Sequence, residues 1–182
     1  MTTISPADTL RDLEHGATTT QALLFFDSLP AVSIEEMLGE WAGGEIPTGH
    51  PMNGLLGPMG WHGKRFDAAD DVHPLVMDGR DGGRYSLNPG FLPVPTLLRF
   101  RALLNNPTLQ RVVRSLAPAL RTRAPKARLR MLSYRGVLTA TMCYDQLPIH
   151  DVFRKVDENT VLGAMDLRGT ADPLVFFLRR EV

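Results

Sequence analysis

The last third of this chain is written in short strand-like runs separated by turn residues, and that text constrains the fold more than anything else in it. Leu129 to Tyr134, Val137 to Tyr144, Ile149 to Val156, Thr160 to Leu167 and Leu174 to Glu181 each read as a strand. Between them stand Arg135-Gly136, Asp145-Gln146, Asp157-Glu158-Asn159 and a loop through Gly169 and Pro173. Connections this short pair each strand antiparallel with the next. Four more strands are predicted upstream, at Trp41 to Ile46, Trp61 to Phe66, His73 to Met77 and Arg84 to Leu87. A mainly β chain with about nine antiparallel strands suits a small closed barrel, which has no free edge.

Helices are expected at the N-terminus and in the middle. Ala7 to Glu14 reads as a short helix, and Thr18-Thr19-Thr20 can cap a second over Gln21 to Leu29, stopped by Pro30. Ser33-Ile34-Glu35-Glu36 matches a capping box, in which the Ser hydroxyl and the Glu carboxylate each accept a backbone N–H of the other residue. From Val94 to Leu120 the apolar residues recur at helical spacing, with Asn106-Pro107 as the start of a second helical piece. One domain over 1–182 is expected: a first part at 33–95, a helical insert at 96–125 and the strand meander at 126–182.

The net charge of zero conceals an asymmetry. Gly82 to Tyr144 carries eleven Arg or Lys and no Asp or Glu, so all 20 acidic residues lie elsewhere. Mutual neutralisation on folding is the plain expectation, and a positive face for an anionic partner is the sharper one. Arg99, Arg101, Arg111 and Arg114 would have to share one exposed face for a membrane-surface or partner role. Nucleic-acid binding is not expected, because the basic stretch lacks interleaved aromatics. Cys143 is the only cysteine, which excludes an intrachain disulfide and fits a reducing, cytoplasmic setting. Met1 to Asp8 lacks a basic and apolar leader, and no apolar run approaches a membrane span.

Several residues can carry chemistry. Strand alternation puts His62, Lys64 and Phe66 on one face and Trp61, Gly63 and Arg65 on the other. If the first set turns inward, Lys64 is a cationic handle for a carboxylate. If Trp61 turns inward, Lys64 is solvated. Met131 and Met142 on neighbouring strands, with Tyr134, Tyr144 and Phe153, can line an adaptable apolar cavity. His150 with Asp151 or Asp145, or His62, can serve as an acid–base pair, although no activated nucleophile accompanies them. Asp151 can instead pair with Arg154 on the surface, and Asp145 can cap its own turn. His50, His62, His73 and His150 match no metal-ligand spacing, so no metal is expected.

Gly39-Glu40-Trp41-Ala42-Gly43 resembles the start of the first strand in calycin barrels, the lipocalins and fatty-acid-binding proteins. That resemblance implies an arginine of the last strand, Arg179 or Arg180, stacked on Trp41 to close the barrel. More specifically, the chain resembles a bacterial family named for its GXWXG motif and followed by a second module of unknown function. The matching text is Gly39 to Gly43, Thr48 to Pro51, Trp61 to Phe66, and Tyr144 to Asp157 running on to Asp166. This second resemblance implies no activity.

The expected function is a cytoplasmic binding protein for a small hydrophobic, fatty-acid-like molecule held in the barrel. Its ligand-binding residues would be Trp61, His62, Lys64, Phe66, Met131, Tyr134, Met142, Tyr144 and Phe153. The alternatives are an enzyme acting on a carbonyl or ester through a rim His/Asp pair, and a heme-binding barrel with an inward histidine. No cofactor is otherwise expected, and a homodimer is left open.

Overall fold

The computed structural model describes residues 5–80, 82–91 and 106–181. Its elements are α1 (Pro6–Glu14), α2 (Thr19–Ser28), α3 (Ile34–Met37), β1 (Gly39–Glu45), β2 (Trp61–Ala68), β3 (Asp71–Asp78), β4 (Arg84–Leu87), α4 (Pro107–Leu116), β5 (Arg121–Thr122), β6 (Ala127–Tyr134), β7 (Val137–Tyr144), β8 (Ile149–Asp157), β9 (Thr160–Leu167) and β10 (Leu174–Arg180). The part of the predicted helical insert before Asn106, 96–105, lies outside the described residues.

The strands run β2-β1-β10-β9-β8-β7-β6-β3, and β3 pairs back with β2. The result is a closed antiparallel barrel of eight strands that fits a calycin-like architecture. β3 is shared along its length. Val72 pairs with Ala127 of β6, while Val76 to Asp78 pair with β4, which carries β5 beyond the barrel wall. Among the described residues the sheet thus has ten strands rather than about nine. β5 is only two residues long and leaves no periodic pattern to read.

β7 and β8 pair only from Thr141 to Cys143 and then diverge. The segment Pro30 to Val32 fills the gap. Its carbonyls accept from Lys155 N at 3.0 Å and Ala140 N at 2.9 Å, and Val32 N donates to Thr139 Oγ1 at 3.0 Å. Backbone groups left by the splayed strands are satisfied in this way. α3 then crosses the same end of the barrel with its capping box formed between Ser33 and Glu36.

Trp41 lies beneath α3, 1% exposed, and its indole N–H donates to Met37 O at 2.7 Å. Arg180 pairs with it across β1 and β10. The Arg180 guanidinium lies 4.2 Å from the ring centre and donates to Leu38 O and Glu36 O, both at 2.5 Å. Arg179 points elsewhere, stacking on Phe177 and pairing with Glu14. Two glycines make this wall possible. A Cβ on Gly43 would overlap the Trp61 ring, and one on Gly63 would overlap the Trp41 carbonyl oxygen.

Two apolar clusters hold the molecule. One fills the barrel. The other lies outside it, where Leu10, Phe25, Phe26 and Leu29 of the N-terminal helices cover Val152, Leu162, Val175 and Phe177. β8, β9 and β10 are therefore covered on both faces. Each such Phe or Leu contributes about 1.5–3 kcal/mol by leaving water.

Candidate functional site

The lower barrel is packed with rings. Phe66 meets Phe153 edge-on at 5.9 Å between centroids, and Phe153 meets Phe176 at 6.1 Å. Met142 and Leu129 are fully buried beside them. The upper barrel differs, and the cause is a bulge. β2 and β3 slip register between Trp61 and Gly63 and again before Arg65. One extra residue in a strand rephases its side chains. Trp61, Lys64 and Phe66 consequently all turn inward, while His62 turns out. This corrects the simple alternation, which grouped His62 with Lys64 and opposed both to Trp61.

Lys64 Nζ sits 2.8 Å from Asp151 Oδ2, with the two side chains 3% and 1% exposed. It also donates to Pro74 O at 3.2 Å. Three rings surround the ammonium, with centroids at 5.2 Å for Phe176 and 5.8 Å for Trp61 and Tyr144. Burial pushes the Asp151 carboxyl up, and the Lys64 ammonium pulls it back. Burial, and then the Asp151 charge, raise the Tyr144 phenol well above its ordinary value, so it stays a neutral hydroxyl. Asp151 Oδ1 is buried with no hydrogen-bond partner among the described residues. A cavity of about 20 Å³, the room of one water molecule, adjoins this group. Glu45 also lines it and has a buried carboxylate oxygen without a partner among the described residues.

The larger space lies just beyond, at the mouth. α4 and the turn Ala117–Leu120 stand over β3 and β4 and enclose a chamber of about 340 Å³. Leu75, Met77, Leu87, Val113, Leu116 and Leu120 are among its walls, and no charged residue lines it among the described residues. Leu56 and Leu75 border both the chamber and the small cavity, so the two spaces adjoin.

The predicted site residues divide accordingly. Trp61, Lys64 and Tyr144 line the small cavity, whereas Phe66, Met142 and Phe153 belong to the packed interior below it. Met131 is exposed, and Tyr134 packs on the outer side against Phe26 at 6.2 Å. His62 is held on the outer wall between Asp78 at 3.2 Å and Glu181 at 3.0 Å. His150 is exposed, and Asp145 pairs with Arg128 at 2.8 Å instead of capping its turn. Asp151 and Arg154 make no surface pair. Both are buried on opposite sides of β8, with Arg154 under the Phe26 ring. His62 is therefore paired with Asp78 and Glu181 rather than with the expected Asp145 or Asp151. No histidine lines either cavity among the described residues, so the axial ligand needed for heme is lacking there.

The basic middle stretch meets acids from the rest of the chain. Arg128 pairs with Asp145, Arg130 with Asp70, Arg135 with Asp27 and Arg84 with Glu181. Arg99 and Arg101 lie outside the described residues. Asp67, Asp71 and His73 gather at the β2–β3 turn with potential ligand atoms within 4.8 Å of one another. Arg65 already supplies a cation there, donating to Asp67 at 3.0 Å. No described helix is long and apolar enough to cross a membrane.

Sequence reading missed the chamber walls. The helical spacing of Val113, Leu116 and Leu120 was visible, but not what that apolar face covers.

Comparison with known proteins bears on both halves of the barrel. The profile described as GXWXG protein matches residues 24–82, and that of a domain of unknown function, DUF4334, matches residues 125–180. The chain is similar to a protein from Thermomonospora curvata known from its crystal structure. The identity is 31%, the alignment covers 97% of this chain and 99% of that one, and the TM-score is 0.72. No curated protein matches the sequence.

Proposed function

Since this chain belongs to the GXWXG family with its C-terminal DUF4334 module, whose strands here build a closed barrel, we propose that it is a binding protein for a small, largely apolar molecule seated at the barrel mouth. The observation that carries this reading is the chamber of about 340 Å³ walled by α4, β3 and β4. Its size falls at the lower end for small-molecule sites, and apolar walls with a few convergent polar groups are their usual make-up. The interior proper is too full to hold such a molecule. The ligand's apolar body occupies the mouth, and its end reaches toward Lys64 and Asp151. The lone, half-buried Cys143, whose thiol burial holds mostly protonated, fits a cytoplasmic setting.

A neutral apolar dye tests the reading. N-phenyl-1-naphthylamine should bind saturably with enhanced fluorescence. The Ala119→Trp variant should weaken binding about tenfold or more without unfolding the barrel, because Ala119 stands exposed at the chamber rim. Unsaturable binding, or equal binding by the variant, would count against the mouth as the site. Small molecules co-purifying with the protein, identified by mass spectrometry, give the natural candidates.

A further inference from the structure

The polar groups at the inner end of the site have unequal hydrogen-bonding capacity left over. An ammonium has three donors. Lys64 uses one on Asp151 Oδ2 and one on Pro74 O, which leaves one. Among the described residues nothing donates to the buried acceptor Asp151 Oδ1. Both belong to residues lining a cavity that holds one water-sized group and continues into the apolar chamber. A buried charged acceptor without a donor is costly, so a ligand that supplies the donor recovers that loss.

The charges of the cavity narrow the choice. Lys64 is matched by Asp151, and Glu45 adds a second carboxylate to the lining, with Oε1 buried and unpartnered. An incoming carboxylate would meet two anions and one already paired cation. An incoming ammonium would bring a second cation beside Lys64 and leave the last Lys64 hydrogen without an acceptor. A hydroxyl answers two of these three positions, accepting from Lys64 and donating to Asp151 Oδ1, and leaves Glu45 Oε1 as it is. It is also the size of the cavity.

We propose that Lys64 and Asp151 together select a ligand whose polar end is a single neutral hydroxyl, so that the molecule is an apolar alcohol or phenol rather than a fatty acid. The inference rests on the binding reading above. Asp151 is then the specificity-determining residue, and Lys64 is its counter-charge and a second hydrogen-bonding partner. The Tyr144 phenol, kept neutral by burial, adds no charge that would alter this selection.

Displacement of N-phenyl-1-naphthylamine at pH 7.5 by octan-1-ol, octanoate and octylamine separates the possibilities. Octan-1-ol should displace the dye at concentrations about tenfold or more below either charged probe. In Asp151→Asn the Lys64 cation loses its partner, and octanoate should gain until the preference vanishes or reverses. Should that variant fail to fold, the double variant Lys64→Met/Asp151→Leu replaces the pair with apolar groups and leaves no buried charge. It should still bind the dye, and the preference of the wild type for octan-1-ol over its isomer 1-methoxyheptane, a neutral ether with no hydrogen to donate, should vanish. Dye binding with octanoate or octylamine equal to or better than octan-1-ol in the wild type would overturn the hydroxyl assignment and leave the chamber reading standing. A double variant that keeps the preference for octan-1-ol over the ether would overturn it as well. Absence of both dye and alcohol binding would overturn the chamber reading itself, and the assignment with it.

Discussion

Arg180 and Trp41 face each other across two strands that are far apart in sequence, and their contact needs the barrel to close. Truncating Arg180 removes the stacking and two hydrogen bonds to carbonyls of Glu36 and Leu38. Arg180→Ala should lower stability by about 1–3 kcal/mol in urea denaturation, whereas Arg179→Ala, which leaves this contact intact, should cost less. Lys64 and Asp151 give a contrasting pair. Lys64→Met alone strands a buried carboxylate and should cost about 3–5 kcal/mol, while the double change Lys64→Met/Asp151→Leu should restore most of that loss. The Trp41–arginine contact was legible because a motif names its parts. The Lys64–Asp151 pair was not, because the bulge at Trp61–Gly63 depends on how β3 pairs with β2. Alternation along one strand contains no sign of a slipped partner, and for the same reason it grouped His62 with Lys64.

Caps and turns were the most legible elements, since their chemistry is local. The Ser33–Glu36 box, the Asn106 cap with Pro107 behind it, and the Arg135-Gly136 hairpin turn all form. β4, β7 and β9 keep their predicted limits. The insertion of Pro30 to Val32 between β7 and β8 could not be read, because backbone hydrogen bonding by a loop leaves no side-chain pattern. α4 shows what amphipathicity alone leaves undecided. None of its residues is buried: Val113 and Leu116 line the chamber, Leu116 still largely exposed, and Val112 is exposed outside that lining. Its local opening should cost far less than that of the doubly covered β8–β10. Native-state hydrogen exchange should therefore protect amides of Val161 to Met165 much more than those of Gln110 to Arg114. Saturating apolar ligand should slow α4 in particular. Equal protection of the two regions would contradict this view of the lid.

The two profile matches split the chain, yet neither half closes a barrel alone. The first supplies β1, β2 and β3 and the second β6 to β10, and the seams β1–β10 and β3–β6 join them. The charge asymmetry resolves at this scale too, as arginines of the middle stretch pair with acids that precede and follow it. Acid should unsettle the whole. Burial depresses His50 and His73 below their ordinary value of 6.5, so the unfolded chain takes up those protons first and stability falls as pH drops below about 6.5. Asp27, bonded by Arg135, and Glu36, bonded by the Ser33 amide, have lowered values and add a further loss below about pH 4.5. The urea midpoint should be lower at pH 5 than at pH 7.5. A midpoint that does not change would mean that the histidines are not buried as described.

The central claim is that an apolar molecule lodges at the mouth under α4 and stops at the Lys64–Asp151 pair. Methyl NMR during a titration with octan-1-ol measures this directly. The account predicts saturable shifts at Met59, Leu75, Met77 and Leu120, with Leu162 and Val175 on the outer, helix-covered face unmoved. Shifts that never saturate, or that are strongest away from those four side chains, would contradict it.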